Sequence, residues 1–133
     1  VHTRYADIVP YVTLDGSEIR ELMHPDRHRV RQQSLAEALV APGTATRLHR
    51  HRASEELYHV TAGSGRMTLG EESFEVAEGD TVLIPPGTPH RIENVGDTPL
   101  HILCTCSPAY RHEDTELLEI SESGQSTNAP ALL

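Results

Sequence analysis

Two histidines two residues apart, His49 and His51, precede a pair of carboxylates, Glu55 and Glu56, and farther along the chain comes His90. On an extended strand alternate side chains share a face, so the H-x-H spacing aims both imidazoles the same way. A helix would need a spacing of three or four for the same result. Imidazoles with a carboxylate form a donor set for Fe, Mn, Ni, Co, Zn or Cu, and a site that leaves ion positions open is one that can do chemistry. On these residues alone either Glu55 or Glu56 can supply the carboxylate. His90 follows "PPGTP", in which Pro85, Pro86 and Pro89 fix φ and stiffen the backbone that must hold a ligand at its angle.

Strands must position these groups. Apolar and polar residues alternate, or form short runs broken by Gly and Pro, over 18–23, 29–40, 44–51, 55–62, 65–69, 72–77, 80–84, 89–94 and 98–106. Turn signals such as "APGT", "AGSG", "AEGD" and "VGDTP" separate many of them. "GEES" reads as a hairpin tip, with Gly70 free to take positive φ. Many short strands with regular turns predict an all-β antiparallel sandwich or barrel. Residues 1–17 are ambiguous between a loop and an added edge strand, one helical turn is expected around 114–118, and 121–133 reads as a disordered tail. Cys104 and Cys106 share a strand face, too close along it for a normal disulfide, and are expected to be buried free thiols.

The 133 residues fit one domain, with 20 acids against 11 bases and a formal net charge of −9. All the bases are Arg, which removes Schiff-base lysine chemistry. The acidic balance makes nucleic acid and anionic membranes poor partners. No apolar run reaches the ~18 residues of a membrane span, and no leader-like segment opens the chain, so a cytoplasmic protein is expected.

Both histidine regions resemble the motifs of the cupin superfamily, in its small single-domain metal-binding form. The first motif runs through Gly43, His49, His51, Glu56 and Gly63, "GTATRLHRHRASEELYHVTAG"; the second through Gly79, Pro85, Gly87, His90 and Asn94, "GDTVLIPPGTPHRIEN". Every fixed position matches. The resemblance implies a double-stranded β-helix (jelly-roll) barrel over 32–106, with an N-terminal arm at 1–31 and a segment capping the barrel at 107–120. It also implies one divalent transition metal per chain, Fe first, held by His49, His51, Glu56 and His90. The motif spacing selects Glu56, and alternation agrees, because Glu56 inward carries Tyr58 and Val60 inward with it. Asn94 is expected to brace a turn.

Several side chains are candidates around that metal. Tyr58 is either a core aromatic or a catalytic phenol. Arg47, two residues before His49, either clamps a substrate carboxylate at the barrel mouth or is exposed. Arg29 and Arg31 share a strand face with the same ambiguity. His101 lines the cavity if its face is inward, and Tyr110, His112 and Glu113 are placed to cap the mouth. His24 and His28 are expected at the surface. The resemblance implies a small-molecule substrate and puts O2-dependent oxidation first. The alternatives are a redox-neutral isomerase, cyclase or lyase, and a sugar-like binding module without turnover. A homodimer that uses residues before about 40 is also expected, since open sheet edges gain by being covered.

Overall fold

Period-two alternation becomes extended chain almost wherever it occurs. The computed structural model describes residues 1–12 and 17–118. In chain order the strands are β1 (Tyr11–Val12), β2 (Glu18–Met23), β3 (Ser34–Val40), β4 (His49–His51), β5 (Glu55–Ala62), β6 (Ser64–Leu69), β7 (Glu72–Ala77), β8 (Thr81–Ile84), β9 (His90–Glu93), β10 (Leu100–Ser107) and β11 (Thr115–Leu117). Short 3-10 turns occupy Tyr5–Asp7 and His112–Asp114. A six-stranded sheet has the order β1-β2-β3-β10-β5-β8, and a five-stranded sheet the order β11-β4-β9-β6-β7. Every pairing is antiparallel, as the expected jelly roll requires.

The two sheets bury their facing sides. In β3 and β10 each second residue is buried, which places Ala36, Ala38, Val40, Leu100, Ile102 and Cys104 in one core with Ile19, Val60, Met67, Ile84 and Ile92. Both cysteines are buried and free, as expected. The β6–β7 hairpin pairs Leu69 with Glu72 around Gly70, whose φ of 60° suits glycine. At Gly63, φ is 86° and an added Cβ would lie 2.7 Å from the Pro99 carbonyl, so the close crossing there requires glycine.

Several expectations are corrected. The strand expected over 29–40 starts at Ser34. Before it the chain turns, with the amides of Arg27 and His28 donating to the His24 carbonyl, so Arg29 and Arg31 are exposed and share no strand. In 44–51 only His49–His51 is a strand, preceded by an isolated bridge from Ala45 to Glu93. The helical turn expected around 114–118 falls at His112–Asp114 instead, and Thr115–Leu117 extends the five-stranded sheet beside β4. The expected tail, 121–133, lies outside the described residues, among which no helix is long and apolar enough to cross a membrane.

Candidate metal centre

Register brings the histidines together. β4 lies beside β9 with His49 directly opposite His90, and His51 follows two residues on along the same face. Glu56 comes from β5 in the other sheet. All four side chains are at most 2 % exposed. The ligand atoms of the three histidines lie within 4.8 Å of one another. Glu56 Oε1 stands 3.3 Å from His51 Nε2 and 3.2 Å from His90 Nε2.

Among the described residues those atoms have no hydrogen-bond partner: Nε2 of His49, His51 and His90, and Oε1 of Glu56. One such buried orphan costs about 1–3 kcal/mol. Four aimed at one point, in a nitrogen-rich donor set with one carboxylate, fit a divalent transition metal.

The opposite ring nitrogens show how the donors are aimed. His49 Nδ1 lies 2.6 Å from the Arg47 carbonyl and His90 Nδ1 lies 3.0 Å from the Thr88 carbonyl. A carbonyl only accepts, so both Nδ1 atoms carry the proton and both Nε2 lone pairs face the cluster. His51 Nδ1 lies 2.9 Å from Thr115 Oγ1, whose own proton goes to the Arg111 carbonyl at 2.9 Å. The hydroxyl must therefore accept from His51, which fixes the same tautomer. Burial, followed by the charges of His90 and His51, holds the His49 imidazole well below its usual pKa and so neutral. Cys106 Sγ donates to Glu56 Oε2 at 3.3 Å, leaving Oε1 to the histidines. Thr115→Val is expected to lower metal affinity by about 10- to 100-fold by freeing the His51 ring. Chelator competition measures this, and unchanged affinity would mean the β4 backbone alone sets the ring.

Beside the ligands is a space of about 10 Å³ lined by Glu21, Ser34, Ala36, Glu56, Cys104, Cys106 and Tyr110. Beyond it opens a cleft of about 480 Å³ lined by Tyr11, Glu21, His24, Asp26, Arg27 and residues 110–113. Glu21 and Tyr110 line both.

A family profile for the cupin domain matches residues 36–106. The chain belongs to the cupin family. This cupin is 56% identical over 119 residues to the uncharacterized protein MJ1618 of Methanocaldococcus jannaschii, covering 90% of this chain and 95% of that one. It is 38% identical over 89 residues to the mannose-1-phosphate guanylyltransferase RfbM of Salmonella typhimurium, which is 65% of this chain but 18% of that protein, so the chain spans less than a fifth of that relative. In fold it resembles the polyketide cyclase RemF from Streptomyces resistomycificus, with a TM-score of 0.77 at 20% identity over 92% of this chain and 87% of that one.

The cupin fold gathers only some of the residues singled out from sequence. Tyr58 is buried with its ring roughly perpendicular to that of His90, centroids 5.8 Å apart, and is not among the residues lining either space. The Tyr110 ring stands roughly perpendicular to that of His51, centroids 5.7 Å apart, and walls both spaces. Glu55 is exposed on the outer side of β5. Arg47 contributes its carbonyl to His49; residues 44–48 are not a strand, so the count of two that was to place its side chain beside His49 does not hold there. His101 is not brought to the centre. Leu100, Ile102, Cys104 and Cys106 take the inner face of β10, which leaves His101 outside, 3.9 Å from Glu37. His24, expected at the surface, is buried and donates from Nε2 to the Tyr110 carbonyl at 2.8 Å.

Sequence reasoning missed Glu21, Cys106 and Thr115 as parts of the centre. Glu21 had a signal, since it shares a strand face with the apolar Ile19. Cys106 and Thr115 depend on cross-strand registers, Cys106 with Glu56 and Thr115 with His51, which no local pattern reveals.

Proposed function

We propose that this cupin is a metal-dependent enzyme that carries out redox-neutral chemistry on a small carbonyl compound. The observation that carries the reading is the convergence of four partnerless ligand atoms below a polar cleft of about 480 Å³. A divalent metal held by His49, His51, Glu56 and His90 supplies Lewis acidity toward a substrate oxygen. The chain's own residues do the rest. The Arg47 and Thr88 carbonyls and the Thr115 hydroxyl aim the three rings, and Cys106 holds the carboxylate. Tyr110 lines both the cleft and the small space beside Glu56.

The small space beside Glu56 and Cys106 favours redox-neutral chemistry over O2-dependent oxidation, which the sequence resemblance puts first. About 10 Å³ is room for roughly one water-sized group. It suits one substrate oxygen reaching in from the cleft.

The test is metal analysis of protein purified without an affinity resin, followed by turnover assays on 2-oxo acids and hydroxyketones in air and under argon. Bound transition metal and equal rates in both atmospheres are expected. Substrate loss coupled to O2 uptake would overturn the reading in favour of oxidation, and binding without turnover would favour a binding module.

A further inference from the structure

Among the described residues, Glu21 and Tyr110 line both the space beside the metal ligands and the open cleft, and the Glu21 carboxylate keeps an uncommitted atom. Tyr110, the other shared wall, presents its ring to His51. Glu21 Oε1 accepts the Tyr11 hydroxyl at 3.1 Å, which anchors the side chain. Glu21 Oε2 is buried with no hydrogen-bond partner among the described residues. Its charge reaches the interior, since it contributes to raising the thiols of both Cys104 and Cys106, behind burial and the charge of Glu56. A buried carboxylate oxygen without a partner is costly to keep, unless something that enters the site uses it.

The cleft also indicates what enters. Its carboxylates, Glu21, Asp26 and Glu113, face two guanidiniums, Arg27 and Arg111, neither of which forms an ion pair among the described residues. Asp26 turns toward His24, at 3.8 Å. Such a lining suits a ligand with one anionic group and a polar body.

We propose that Glu21 is the acid–base residue of this centre and that its substrates are enolisable 2-oxo acids. Arg27 and Arg111 receive the carboxylate. Glu21 Oε2 takes a proton from the carbon next to the carbonyl. The C–H bond breaks, an O–H bond forms on Glu21, and the electron pair passes to the carbonyl oxygen as an enolate. Return of the proton to carbon restores the carboxylate, so no oxidant or reductant is consumed. Tyr11 steadies the carboxylate through Oε1 in both protonation states. This rests on the reading of the centre as a metal-dependent, redox-neutral site.

The probe is pyruvate with zinc-loaded protein in D2O, following loss of the methyl proton signal by NMR after quenching with chelator. Zinc affinity is measured by chelator competition and pyruvate affinity by calorimetry. The wild type is expected to speed exchange above free zinc, and Glu21→Gln to slow it by about 100-fold or more with zinc and pyruvate affinities unchanged. Glu21→Asp, which keeps the carboxylate but shortens it, should retain part of the exchange, and it serves as the second variant if Glu21→Gln does not fold. Full exchange in both variants, or no exchange by zinc-loaded wild type, overturns the assignment. Failure of the wild type to bind zinc at all would instead remove the metal centre beneath it.

Discussion

Replacing His90 with alanine is expected to lower divalent-metal affinity by more than about 100-fold. Losing a partner that merely orients a ligand costs about 10- to 100-fold, and losing a ligand costs more. His90 is fully buried, faces His49 directly across two strands, and touches Glu56, so its loss removes a donor at the middle of the cluster. The same substitution deletes one of the four ligand atoms that are buried without a partner among the described residues. The metal-free protein should therefore lose less stability than a buried ring usually costs, because a desolvated nitrogen goes with it. The acids provide the control. Glu56→Gln should weaken metal binding, and Glu55→Gln should not, since Glu55 is exposed. Metal content and chelator competition on the three variants check this; a site emptied by Glu55→Gln alone would put the register of β5 wrong by one residue.

Cutting the chain after Cys106 should lower the melting temperature by about 10 °C or more, whereas cutting after Glu119 should leave it nearly unchanged. The shorter chain loses β11, and with it Leu117, which is fully buried. Removing a buried Leu side chain costs about 2–5 kcal/mol. The ion pairs of Glu116 with Arg50 and Arg52 also go, but surface pairs add little. More serious is the exposure of β4, which carries two ligands and would become the edge of its sheet. Thr115 disappears as well, so His51 loses its orienting partner. Metal affinity should fall together with the melting temperature, and calorimetry of the two truncations, with and without zinc, separates the effects. Residues beyond 119 have little apolar bulk before their end, so their removal forfeits little burial.

What was legible in the sequence followed from period two. His49, His51 and Glu56 could be assigned to an inner face because every second residue of β4 and β5 is buried. Legibility failed where the chain left the strand without a visible break. "RHRVRQQ" contains no Gly or Pro, yet it sits outside β3, because the turn lies just before it, at His24 and Pro25, where the amides of Arg27 and His28 close onto the His24 carbonyl, and the chain after it shows no second break before Ser34. Arg47 was lost in the same way, over 44–48. His101 shows the opposite limit. Its strand was placed well, but "HILCTC" alternates apolar residues with others of nearly equal bulk, so the inner face could not be chosen from the pattern alone. Thr115 lay beyond any local rule, because its partner is 64 positions away.

The ligands do not all come from one sheet. His49, His51 and His90 stand on the five-stranded layer and Glu56 on the six-stranded one. An ion gripping all four would act as a rivet through the sandwich, and its binding energy would oppose any parting of the two layers. Breathing along that seam and release of the ion then become one event. Ion exchange in this protein should be as slow as the opening of its core, and the metal-free form should be the one whose layers slide.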